Sequence, residues 1–136
     1  MPELPEVETT IRYLKSKVKG KKIFSIKKSQ KKLRKNLNFK DLEQISQKKI
    51  MSVKRFAKYI IIGLENDNFV IIHLGMSGRL KFYLNENYKK EKHDHVILQF
   101  NKFKIVYNDP RRFGMFFRLK DYKEVKFFLI IMELIY

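Results

Sequence analysis

Cysteine is absent from the 136-residue chain, which excludes disulfides and thiolate metal ligands from it. Long apolar runs are missing as well. The closest approach, Phe127–Tyr136, carries Glu133 and falls well short of the roughly 20 residues that a membrane-spanning helix needs. The opening residues include Pro2, Glu3, Pro5 and Glu6 and lack the basic-then-apolar form of a secretory signal. A soluble, cytoplasmic protein is therefore expected. Acidic residues are scarce: 14 Asp and Glu stand against 31 Lys and Arg, leaving a formal charge of +17.

An excess of that size attracts polyanions. Nucleic acid is the first partner expected, because neutralising phosphates releases condensed counterions, and an anionic membrane surface is the second. Part of the lysine excess also fits an AT-rich genome, so composition alone leaves the partner open. Hydrophobic residues make up 44% of the chain, too many for a disordered polymer, and the length suits one domain.

Apolar residues at Val7, Ile11, Leu14 and Val18 fall at helical spacing, with Pro5 and Glu6 suited to a first turn and Gly20 to the end. A basic stretch, Lys21 to Lys35, holds a short strand around Ile23, Phe24 and Ile26. Asn38 to Gln47 reads as a short helix with Leu42 and Ile45 inward. Strands are expected at Met51–Phe56, Tyr59–Leu64, Phe69–Leu74, Arg79–Leu84, Val96–Phe100, Phe103–Tyr107 and Met115–Leu119, with a hairpin turn at Glu65–Asn68. The fold class is mainly β: a β-sandwich of about seven or eight short antiparallel strands preceded by an N-terminal α-helix. For the apolar tail beyond Lys126 no packing partner is evident.

The N-terminus carries chemistry of its own. Met1 is commonly trimmed before a small residue, which would expose the secondary amine of Pro2. An α-amino group titrates at roughly pH 8, so a useful fraction is neutral and nucleophilic. Such an amine can attack a sugar anomeric carbon and hold it as an iminium, with Glu3 beside it as proton donor and acceptor. The same residues also read as a plain helix start. His93 and His95, alternating on a strand, would share a face, but two imidazoles without a third ligand do not make a metal site.

The order of the opening, Pro-Glu-Leu-Pro-Glu-Val-Glu-Thr over residues 2–9, is similar to the N-terminal signature of the formamidopyrimidine-DNA glycosylase family. The sister family, endonuclease VIII, typically has Gly in place of Leu4. Four further blocks agree in order: 54–59 (KRFAKY), 73–78 (HLGMSG), 92–96 (KHDHV) and 109–114 (DPRRFG). They resemble the family's lysine-bearing strand, its first intercalation loop, a DNA-contacting segment and its second intercalation loop.

The resemblance implies a base-excision DNA repair enzyme acting on double-stranded DNA that contains oxidised purines, such as 8-oxoguanine and formamidopyrimidines. Pro2 would be the nucleophile and Schiff-base former, Glu3 the acid/base partner, Glu6 a supporting carboxylate, and Lys58 a phosphate contact and proton carrier in the β/δ-elimination that nicks the abasic site. Met76, Arg111 and Phe113 would fill the gap left by the flipped base, Arg111 pairing with the orphaned cytosine, and His93 would contact a DNA phosphate. Gly75, Gly78, Pro110 and Gly114 mark turns, where Met76 and Phe113 are expected to be exposed. Residues 1–119 would form the N-terminal catalytic β-sandwich domain and 120–136 an atypical tail. The family's helical domain and zinc finger are not expected in this chain, so no metal or cofactor is expected, and the protein should be a monomer. Activity would then be impaired by truncation. The alternative is a non-catalytic basic DNA-binding fragment of such an enzyme.

Overall fold

The computed structural model describes residues 4–29 and 39–135. Pro2, Glu3 and the part of the basic stretch beyond Ser29 lie outside the described residues.

Helix α1, Leu4–Val18, buries Val7, Ile11, Leu14 and Val18, the four positions that the 3.6-residue repeat brings to one side. Glu6 in its first turn and Lys15 and Lys17 in its last complement the helix dipole. The helix expected near residues 38–47 exists in a shorter form: α2, Phe39–Leu42, gives way to a 3₁₀ turn at Glu43–Ile45. Leu42 and Ile45 point inward as the spacing predicts.

Eight strands make two four-stranded antiparallel sheets. One holds β1 (Ser25–Lys28), β6 (Asp94–Gln99), β7 (Phe103–Asn108) and β5 (Arg79–Leu84) in that spatial order. The other runs β2 (Ile50–Phe56), β3 (Tyr59–Leu64), β4 (Asn68–His73) and β8 (Met115–Lys120). The main core lies between them and includes the apolar side of α1: Val7 and Leu14 share one cluster with Ile26, Leu98 and Ile105 of the first sheet and with Ile60, Ile72 and Phe116 of the second. The β3–β4 connection places Asn66 and Asp67 at φ 60° and 55°, left-handed conformations that Asn and Asp tolerate better than other side chains.

Strands β3 and β4 are apolar at nearly every position because both faces are covered. Ile60, Ile62, Val70 and Ile72 face the main core, while Tyr59 and Ile71 face outward into a second cluster with Met115 and Phe117. The tail covers that outer face. Residues Asp121–Ile135 form helix α3, which buries Val125 and Leu129 in the second cluster. The ring of Phe128 sits edge-on to Tyr59 at 5.4 Å and to Phe117 at 5.1 Å. The tail therefore has a partner that its sequence did not disclose. No helix was expected there, yet its start is capped. The Asp121 carboxylate accepts the Glu124 N–H at 3.0 Å, and the Glu124 carboxylate accepts the Lys120 N–H at 3.2 Å, close to a capping box. Among the described residues no helix is long and apolar enough to cross a membrane.

Leu129→Ala should lower the unfolding free energy by about 2–3 kcal/mol, read from urea denaturation. Leu134→Ala, at a position 79% exposed, should change it by about 0.5 kcal/mol or less.

Candidate active site and nucleic-acid interface

Strands β4 and β8 are neighbours, with His73 paired to Met115, so the loop that leaves one and the loop that enters the other emerge side by side. They touch. Gly75 has φ +62°, and a Cβ there would lie 2.6 Å from the Gly114 nitrogen and 2.7 Å from the Phe113 carbonyl carbon. A Cβ on Gly114 would overlap the Tyr107 hydroxyl and the His73 carbonyl oxygen. Side chains at either position would push the loops apart.

Asp109, fully buried, ties this end of the sandwich together. Its Oδ1 accepts the Ser77 hydroxyl at 2.7 Å and the Arg112 N–H at 3.1 Å. Its Oδ2 accepts the Tyr107 hydroxyl at 2.7 Å and the Gly114 N–H at 2.9 Å. Ser77 Oγ in turn accepts the Arg111 N–H at 3.0 Å, so one carboxylate organises both loops. The Asp109 carbonyl accepts from His95 Nε2 at 2.7 Å, and His95 Nδ1 is hydrogen-bonded to the Ser29 hydroxyl at 3.2 Å. His73 Nδ1 accepts the Gly75 N–H at 3.0 Å.

On this frame stand three exposed side chains. Met76 is 47% and Phe113 45% exposed, as their flanking turn residues predict, and the Arg111 guanidinium lies 5.3 Å from the centre of the Phe113 ring. Arg112 adopts φ 59°, which turns the chain sharply between them. Two large apolar groups held in solvent by a rigid polar base are unusual unless something apolar docks on them.

Beside the first loop a cavity of about 720 Å³ opens between the N-terminal half of α1 and the β4–β5 connection. Pro5, Glu6, Thr9 and Thr10 line one side, Met76, Ser77 and Arg79 the other. Glu6 is exposed at its edge. Helix α1 begins one residue after Glu3, so the candidate nucleophile Pro2 and its partner Glu3 immediately precede this wall but lie outside the described residues.

Lys58 is half-buried in the two-residue turn Ala57–Lys58 between β2 and β3, not on a strand. Arg55 ties that hairpin to α1: its Nε donates to Glu8 Oε2 at 2.7 Å and its Nη1 to the Ala57 carbonyl at 3.1 Å. His93 is half-buried in the turn before β6, and its carbonyl accepts the Asp109 N–H at 3.0 Å. The expectation that His93 and His95 share a strand face is not met, since His93 precedes the strand and His95 is wholly buried. Among the described residues no three His, Cys, Asp or Glu lie together as a metal site.

Behind the His93 turn, buried Asp94 accepts from the Tyr88 hydroxyl, the Glu91 N–H and Asn108 Nδ2, each at 2.8 Å. Burial, then the bond to Asp94, holds the Tyr88 hydroxyl well above the ordinary phenol range, so it remains a donor at neutral pH. Burial, then Glu91 and Asp94, raises Tyr83 in the same direction. Asp109, Ser77, Asp94 and the Arg55–Glu8 pair were not singled out from the sequence. Their one signal is the setting of polar residues among turn formers at strand ends.

The profile of the formamidopyrimidine-DNA glycosylase N-terminal domain matches residues 1–116. The chain belongs to this family. Formamidopyrimidine-DNA glycosylases of Rickettsia africae and Rickettsia canadensis are 45% and 46% identical to it over 130 residues, covering 94% of this chain and 47% of theirs. The enzyme of Wolbachia pipientis is 42% identical over the same length. The family fold is matched in solved structures of Lactococcus lactis Fpg with DNA containing an abasic site and of MutM with DNA containing carbocyclic 8-oxo-G. Each has a TM-score of 0.84 and 32% identity, and covers 94% of this chain and 48% of the other. The chain thus spans about half the length of the family members it matches.

Asp109→Asn replaces one acceptor oxygen with a donor that faces other donors, and each buried group left unpaired costs on the order of 1–3 kcal/mol. It should destabilise the protein by about 2–4 kcal/mol in urea unfolding. The ¹H–¹⁵N amide signals of residues 74–78 and 109–114 should shift while those of α3 stay in place.

Proposed function

We propose that this chain is the catalytic half of a base-excision DNA repair glycosylase/lyase that acts on oxidised purines, 8-oxoguanine and formamidopyrimidines, in double-stranded DNA. The observation that carries the reading is a cavity at the start of α1 that Met76 lines, next to the loop that exposes Arg111 and Phe113. A base inside the duplex cannot present C1′ to a nucleophile, so it must be extruded. Apolar wedges such as Met76 and Phe113 replace the stacking that is lost, and Arg111 bonds the orphaned cytosine. The extruded nucleotide enters the cavity beside α1.

The Pro2 nitrogen then bonds to C1′ as the glycosidic bond breaks and the base leaves with a proton. Glu3 protonates the ring oxygen as the sugar opens to the iminium, and Glu6 is a supporting carboxylate. Loss of a C2′ proton expels the 3′ phosphate, with Lys58 carrying the proton and holding a phosphate. A second elimination expels the 5′ phosphate. These steps use amine and carboxyl groups alone and call on no metal or cofactor of this chain. His93 contacts a phosphate, and the +17 charge supplies salt-sensitive attraction along the duplex. A monomer acting on the chromosome in the bacterial cytoplasm fits this role. The second reading, a basic DNA-binding fragment without chemistry, rests on that charge.

Borohydride trapping separates the two. With duplexes bearing 8-oxoguanine opposite cytosine, or an abasic site, the protein lacking Met1 should form covalent adducts that peptide mass mapping places on the Pro2 nitrogen. Trapping on the abasic duplex alone would limit the activity to the lyase steps. A folded protein that binds both duplexes and traps neither would leave only the binding role.

A further inference from the structure

We infer that Arg55 and Glu8 form a positioning clamp that sets the Lys58 turn against the amine end of α1. The inference rests on the catalytic reading above. One planar guanidinium grips two elements: Nε donates to Glu8 Oε2 at 2.7 Å on the helix, and Nη1 donates to the Ala57 carbonyl at 3.1 Å in the hairpin turn. Ala57 has φ 50°, a conformation that costs energy for any residue with a Cβ, and the bond to its carbonyl helps to hold it there. Lys58 is the next residue. On the helix side, Glu8 follows Val7, which is buried in the core.

The two side chains are 37% and 42% exposed, and ion pairs at such exposure contribute little to stability. Their value lies in geometry. Lysine in place of Arg55 would keep the charge but lose the rigid fork that reaches both acceptors at once. The clamp spans 47 residues of sequence and joins the two segments that carry the proposed nucleophile and proton carrier. Arg55 and Glu8 act through Pro2 and Lys58, and are positioning residues.

The test is single-turnover nicking of an abasic-site duplex at saturating protein, with borohydride trapping in parallel. It compares the full chain with Arg55→Ala, Arg55→Lys, Glu8→Gln, Glu8→Arg and the exchange Glu8→Arg/Arg55→Glu. Misplacement of reacting groups by ~1 Å can cost ~100-fold in rate, so Arg55→Ala and Arg55→Lys should slow nicking by about 10- to 100-fold. The thermal midpoint should not move, and Arg55→Lys should keep wild-type affinity for the duplex. The exchange should nick faster than Glu8→Arg alone, since it restores the tether between helix and strand. Wild-type rates in every variant, or losses that follow duplex affinity alone, would overturn the clamp and leave the proposed catalysis standing. A wild-type protein that neither traps nor nicks would overturn both.

Discussion

A buried carboxylate must be surrounded by donors, because an ion taken out of water without partners costs several kcal/mol. Asp109 meets that demand with donors from two loops and one strand: Ser77, Tyr107 and the backbone of Arg112 and Gly114. The requirement draws the β4–β5 and β7–β8 loops together, and Gly75 and Gly114 permit the approach because neither carries a Cβ. Met76, Arg111 and Phe113 then point into solvent, since the interior of both loops is occupied by polar bonds. A buried carboxylate thus prepares the surface that the proposed DNA duplex would meet.

The opposite side of the cavity has a different support. Helix α1 is held by four apolar side chains in the core between the sheets, and the β2–β3 hairpin is joined to it by Arg55 and Glu8. Chemistry placed at a chain terminus suffers from fraying. Helix α1, which follows the proposed nucleophile in sequence, is anchored by Val7, Ile11, Leu14 and Val18 along its length. Groups held on rigid elements are placed more accurately than groups on free loops.

Charge acts at a longer range than either support. The net +17 is spread over much of the chain and draws in any polyanion, whatever its sequence. Under the proposed function, discrimination falls instead to Met76, Arg111 and Phe113 on the Asp109 frame. Helix α3 covers the outer face of the second sheet and lets β3 and β4 be apolar on both sides.

Much of the fold was legible because its signals are local. A 3.6-residue repeat marks α1, alternation and turn residues mark the strands, and glycine and proline beside Met76 and Phe113 predict their exposure. Histidine was misread where the strand boundary mattered: His93 falls just before β6, and alternation stops at the first residue of a strand. The tail was not read as a helix, and its apolar residues could not name the surface they cover. The sequence by itself determined the element types as far as β8, the family blocks and the basic charge, since each depends on neighbouring residues or on totals. Only the tertiary structure decided which strands share a sheet, that α3 packs on Tyr59 and Phe117, that Ser77 bonds Asp109 across 32 positions, and that Arg55 reaches Glu8. Those contacts depend on how distant segments close on one another in space, and no local periodicity records that.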